Sequence, residues 1–183
     1  VYTPGTTFPR FRNISQEQQA AYIVQAYALG FAAGADRIAA YRLVDDLAAD
    51  GGDAFGLTRA DGSARPAYTA YQIVTTYMSN FVFARRVDEE AFPLVDYVRL
   101  TGQSTVTHAV WARTEETATL LIPARSAQAT LVSVDGSKWI VKPAGGSYAV
   151  VVGGATCDDP VYGCLIGGAP WLLIEEGITD ALT

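Results

Sequence analysis

Apolar positions along this chain follow two different spacings, and the change falls near residue 85. In the first part they recur every three or four residues. Ala20, Ile23, Val24, Tyr27, Ala28 and Phe31 form one such face, the period of an amphipathic helix. Ser15 is its N-cap and Gln18 stands at the third helical position, which makes a capping box; Gly34 stops it. A second helix is predicted over 66–81. Pro66 suits its first position, where a missing N–H costs least. Ala67, Ala70, Tyr71, Val74, Tyr77, Met78 and Phe81 share its apolar face. Between the helices, Arg37 to Val44 reads as one short strand, followed by Asp45-Asp46 and a glycine-rich loop, Ala49-Asp50-Gly51-Gly52-Asp53.

Beyond Arg85–Pro93 the apolar residues alternate in short runs. Strands are expected near 95–100, 105–112, 117–122, 129–134, 138–142, 147–152 and 171–175. The turns Thr101-Gly102, Asp135-Gly136 and Gly145-Gly146 place glycine where a hairpin needs it. Strands at this spacing suggest an antiparallel β-sandwich. The pattern therefore reads as α+β: a helix–strand–helix unit over 1–85 and a β domain over 86–183, the β domain (about 93–177) expected to fold independently of residues 1–85. A lone parallel strand is the odd element, because such strands are normally flanked by others and covered on both faces.

Composition narrows the partners. The net charge is −6 and only two of the basic residues are lysines, Lys138 and Lys142. No basic stripe exists for nucleic acid or for an anionic membrane surface, and no apolar run is long enough to span a bilayer. The opening Val1-Tyr2-Thr3-Pro4-Gly5 has neither the charged nor the apolar region of a signal peptide. With no initiator Met, the chain is expected to be a processed product or a piece of a longer protein. Cys157 and Cys164 are compatible with two free thiols or with a disulfide closing a small loop; the turn-like Asp158-Asp159-Pro160-Val161-Tyr162-Gly163 between them favours the bridge.

One phrase is more specific: Phe55-Gly56-Leu57, then Asp61-Gly62, then Arg65-Pro66-Ala67-Tyr68 and Ala70-Tyr71. It resembles the segment after strand 8 in clan A glycoside hydrolases, retaining enzymes built on a (β/α)8 barrel. Within the clan it resembles the family of β-xylosidases and α-iduronidases, which append a β-sandwich to the barrel. By this resemblance the helix from Ser15 looks like helix 7, Arg37–Asp46 like strand 8, and Pro66–Phe81 like helix 8. The segment from Gly154 to Glu175 looks like the closing strand of the appended domain. The resemblance implies a secreted protein, extracellular or at the cell surface, with a carbohydrate partner. It also implies that the rest of the barrel, or another polypeptide, covers the apolar N-terminal face.

The clan's two catalytic glutamates end strands 4 and 7, and neither has a counterpart here. Glu17 falls in a capping turn, Glu89 and Glu90 in the linker, Glu115 and Glu116 at a strand turn, Glu175 and Glu176 in the last strand. The barrel site lies at the C-terminal ends of the strands, which on strand 8 means Tyr41, Asp45 and Asp46. These are the candidate substrate-binding residues: Tyr41 to stack on a sugar, a carboxylate to accept its hydroxyls. The plainer alternative packs Tyr41 under the second helix and leaves the aspartates as a solvated turn.

His108, the single histidine, has no partners for a catalytic triad and reads as a hydrogen-bonded structural residue. Trp111, Trp139 and Trp171 are either core anchors or a sugar-stacking platform. Asp50, Asp53, Asp158 and Asp159 lack calcium-loop spacing, so neither metal nor cofactor is expected. The function expected is that of a C-terminal chain or fragment of a secreted glycoside hydrolase-like protein, not catalytic alone. The alternative is a non-catalytic cell-surface or filament protein derived from one.

Overall fold

The capping box at Ser15 forms as the sequence predicts. Gln18 N–H donates to Ser15 Oγ at 3.1 Å, and Gln18 Oε1 accepts from Ser15 N–H at 2.8 Å. It starts α1 (Gln16–Ala32), and Gly34 takes a positive φ just beyond the end. The second helix, α2 (Pro66–Tyr77), has proline in its first turn. The computed structural model describes residues 14–45, 55–87, 92–157 and 163–179.

Eight strands follow: β1 (Phe83–Arg86), β2 (Val95–Thr101), β3 (Thr105–Ala112), β4 (Ala118–Pro123), β5 (Ala129–Ser133), β6 (Lys138–Val141), β7 (Ser147–Val152) and β8 (Trp171–Glu176). Six make one antiparallel sheet in the order β1-β2-β3-β8-β5-β6, and β4 pairs with β7 in a second. The fold is α+β, as expected, with two helices and antiparallel sheets.

Alternation decides which core each residue enters. Val98 and Leu100 of β2, Ala109 and Trp111 of β3, and Leu172 and Ile174 of β8 face the helices. They share a core with Val24, Tyr27 and Ala28 of α1 and Ala67, Ala70 and Val74 of α2. The other face of the large sheet meets the small one: Val95, Tyr97, Val110 and Leu173 against Leu120, Ile122, Tyr148 and Val150. Helices, large sheet and small sheet thus form three layers around two cores. β3 is buried on both faces, whereas β4 and β7 keep one wet face, with Leu121 and Val151 exposed.

Three expectations change. The strand over 37–44 is not formed. That segment makes one isolated parallel bridge, Val44 to Thr58, because a parallel strand needs flanking strands and the described residues supply none. Conversely β1 lies in the segment read as the start of a linker. The second helix ends at Tyr77, so Phe81 is outside it, and Tyr71 is half-buried rather than buried.

Candidate functional site

The segment carrying the sequence-derived candidates is tied to Gly56 and Arg65, in the stretch before α2, by one carboxylate. Asp45 Oδ1 accepts from Gly56 N–H at 2.7 Å. Its Oδ2 pairs with Arg65 Nη2 at 2.5 Å and with Nε at 3.2 Å. Backbone bonds from Leu57 N–H to Arg42 O and from Thr58 N–H to Leu43 O complete the join. Both oxygens of Asp45 are therefore engaged in holding the loop before α2, and its side chain is nearly buried. Gly56 is required here, since a Cβ would lie 2.5 Å from Asp45 N.

Tyr41 stands out from this segment, 76 % exposed, with the Arg42 guanidinium 5.6 Å from its ring centre. It does not pack under α2. Asp46 lies outside the described residues, as do Asp50, Asp53, Asp158 and Asp159. Among the described residues no cluster of three His, Cys, Asp or Glu can hold a metal ion. The Cys157–Cys164 disulfide is formed. Closing a loop of this length contributes about 2–3 kcal/mol in the chain-entropy model. The double variant Cys157→Ser, Cys164→Ser should lose about that much stability in urea unfolding.

The strongest polar arrangement lies elsewhere, between the two sheets, and Glu175 is its centre. This carboxylate is fully buried. Its Oε2 accepts from Arg125 N–H at 2.7 Å, Ser126 N–H at 2.9 Å and Ser126 Oγ at 2.9 Å. Its Oε1 meets His108 Nε2 at 3.1 Å, and His108 Nδ1 meets Tyr97 Oη at 2.6 Å. A depressed His108 pKa and a depressed Glu175 pKa select a neutral imidazole beside an ionised carboxylate, in which Tyr97 O–H donates to Nδ1 and Nε2–H donates to Glu175. Burial lowers the His108 pKa despite the pull of Glu175. Burial also pushes Tyr97 up to about 12. For Glu175 burial acts upward, but the bonds from His108, Arg125 and Ser126 outweigh it and hold the carboxyl below its ordinary value. Buried at Tyr97, His108 and Glu175 and partly open at Ser126, the chain of groups joins β2, β3 and β8 to the segment after β4. His108 is thus the bonded structural residue expected of it.

This network sets a pH dependence. The unfolded chain protonates His108 near pH 6.5, whereas the folded one resists. Stability is therefore full above that value and falls as pH drops through it. Glu175, with its folded value depressed, adds a second loss below the ordinary carboxylate range. Thermal unfolding of His108→Gln should lose the fall between about pH 7.5 and 5.5 that the parent shows. Identical slopes in the two proteins would contradict the neutral-imidazole assignment.

The tryptophans divide. Trp111 is buried in the helix-side core, while Trp139 is half-exposed at the sheet edge with its ring centre 5.5 Å from that of Trp171. No helix among the described residues is long and apolar enough to cross a membrane.

No family model and no curated protein matches the chain. Solved structures do. A family 39 glycoside hydrolase from the gut symbiont Bacteroides cellulosilyticus WH2 superposes with a TM-score of 0.61 at 18% identity, over 89% of this chain and 31% of that one. The family 30 subfamily 8 xylanase Xyn30A from Clostridium acetobutylicum gives 0.61 at 10% identity, over 91% of this chain and 41% of that one. At such identities the likeness is one of fold. The chain spans well under half the length of either structure.

Proposed function

We propose that this chain is the C-terminal part of a secreted (β/α)8 glycoside hydrolase-like protein and is not catalytic alone. Residues 1–85 correspond to helix 7, strand 8 and helix 8 of the barrel, and 86–183 to an appended β-sandwich whose outer face carries the helices. The observation that carries this reading is the segment 41–44. It is fixed on one side by Asp45 and the 55–58 loop, yet Tyr41, Leu43 and Val44 are 76%, 59% and 44% exposed. An extended apolar segment held so rigidly and left so open is a contact surface, and a parallel strand is the element that wants neighbours on both sides.

The missing neighbours are the other strands of the barrel, with the β-xylosidase/α-iduronidase family as the nearer model. Tyr41 and Asp46 then sit at the C-terminal end of strand 8 and line the sugar cleft, while Asp45 holds the loop beneath them. The Cys157–Cys164 disulfide favours an oxidising, extracellular location.

Sequencing the DNA upstream of the Val1 codon tests the proposal. An open frame encoding further strand–helix repeats, with a glutamate ending each of two strands, is expected. A stop codon followed by a translation start immediately before Val1 would contradict it.

A further inference from the structure

On the face away from the helices, the large sheet is covered unequally. The small sheet packs over β2, β3 and β8, where Tyr97, Val110 and Leu173 are buried against Leu120, Ile122 and Tyr148. Its cover runs out at β5 and β6: Leu131 and Val141 are half-buried, and Trp139 is 49% exposed. Strand pairing sets the neighbours on this open corner. Leu131 stands opposite both Trp139 and Leu173, and Ser133 stands opposite Trp171. Trp139, Trp171 and Ser133 therefore share one face. The half-buried Trp171 ring backs that of Trp139 at 5.5 Å, tilted by 56°.

The β5–β6 turn sets a fixed carboxylate beside the rings. Ser133 Oγ and Ser137 N–H both donate to Asp135 Oδ1, the second at 2.9 Å. Ser133 belongs to the tryptophan face, so its bond draws the carboxylate to that face. The two bonds also hold Asp135 below its ordinary pKa, with Ser133 the larger cause, and leave Oδ2 to accept from elsewhere. Asp135 and Ser137 are exposed. Trp139 follows Ser137 by two residues, about 7 Å along the strand.

We propose that Trp139, backed by Trp171 and flanked by Asp135, binds a neutral polysaccharide. The face of an indole is the negative side of its quadrupole, and it attracts the positively polarised C–H groups on the face of a sugar ring. The fixed carboxylate accepts hydroxyls at that ring's edge, and hydrogen bonds to an ionised acceptor are the stronger kind. The spacing suits one sugar ring stacked on the indole with its hydroxyls reaching the turn. A stable protein interface buries about 1,200 Å² or more, whereas this patch is one open indole rimmed by polar groups. The carboxylate and the net charge of −6 disfavour an anionic polymer.

The site is separate from the strand 8 residues. Asp45 is tied to Arg65 in the helix layer, which packs on the other face of the large sheet. The inference therefore stands whether or not the barrel reading does.

Affinity gel electrophoresis of the 183-residue chain in soluble arabinoxylan, barley β-glucan and glucomannan tests it. At least one polymer should retard the protein. Trp139→Ala should weaken that retardation by about tenfold or more, and Trp139→Phe by less, since a ring remains. Asp135→Asn, which keeps an oxygen for Ser133 and Ser137, should also weaken it. Both positions are exposed, so all three variants should stay folded, as melting curves will check. Ile140→Arg, exposed on the opposite face of β6, should bind as the parent does. Retardation by none of the three polymers, retardation unchanged in Trp139→Ala or Asp135→Asn, or retardation lost in Ile140→Arg overturns the proposal. Retardation that is lost instead in Tyr41→Ala moves binding to the barrel face; it supports the barrel reading and overturns this one.

Discussion

Glu175→Ala should lower the unfolding free energy by about 3–5 kcal/mol, the cost of removing one partner from a buried charged network. The substitution leaves Arg125 N–H, Ser126 N–H, Ser126 Oγ–H and His108 Nε2–H without their acceptor, the last of them buried and the first three in a partly exposed segment. Each stranded donor costs about 1–3 kcal/mol when buried, although a donor that relaxes toward solvent costs less. Glu175→Gln preserves the shape but turns an amide NH2 toward donors, so it should fall between parent and alanine. Urea unfolding with an unchanged slope gives the difference directly. A loss under about 1 kcal/mol would show that water reaches the site and replaces the carboxylate.

Trp111→Ala should cost about 3–5 kcal/mol, the range for emptying a large aromatic site in a core that cannot collapse. Trp111 is 1% exposed. Gly167 lies so close to it that a Cβ there would fall 2.3 Å from the indole ring. Gly168 N–H donates to Ala112 O in the adjoining residue, and Gln25 of α1 bonds both glycines of the same loop. The indole is thus packed between α1, the sheet and this loop. Losing it should also speed hydrogen exchange at Gly168 N–H ahead of global unfolding. Tyr71→Ala serves as the contrast: half-buried, with an edge-on contact to Tyr27 at 5.9 Å, it should lose less. Equal losses would mean that the helix-side core is looser than the packing indicates.

The sequence showed the regular elements well wherever one side chain in two, or three or four in seven, had to be apolar. Every strand expected from 95 onward forms: β4 and β7 bury one face and alternate, β3 and β8 are buried on both and read as apolar runs, and β6 is a short edge strand with no fully buried residue. β1 escaped notice. As an edge strand reading Phe-Ala-Arg-Arg it needs no apolar stripe, and its arginines protect the open edge. The segment 37–44 misled because its apolar residues are those of a strand, but strand formation depends on neighbours, and neighbours are not a property of the segment.

The polar centre was hidden by topology. His108 and Glu175 are 67 residues apart, and only the insertion of β8 beside β3 brings them together. Nothing in their spacing announces that pairing. Asp45, a candidate sugar-binding carboxylate in the sequence, is tied to Arg65 and Gly56. The apolar faces of the two helices were legible; what they pack on was not, since amphipathic periodicity names the buried side and not its partner.

On the proposed reading, this chain carries the end of a barrel without its chemistry. Retaining hydrolysis needs two carboxylates about 5 Å apart on either side of one bond. Asp45 is committed to Arg65 and Gly56, and Glu175 is sealed between the sheets. The measurement that tests this most directly is hydrolysis of aryl β-xylosides, β-glucosides and β-galactosides by the purified 183-residue chain. No turnover above the uncatalysed rate is expected. Turnover that survives repurification and is abolished by Asp46→Ala, in a variant that still folds, would contradict it.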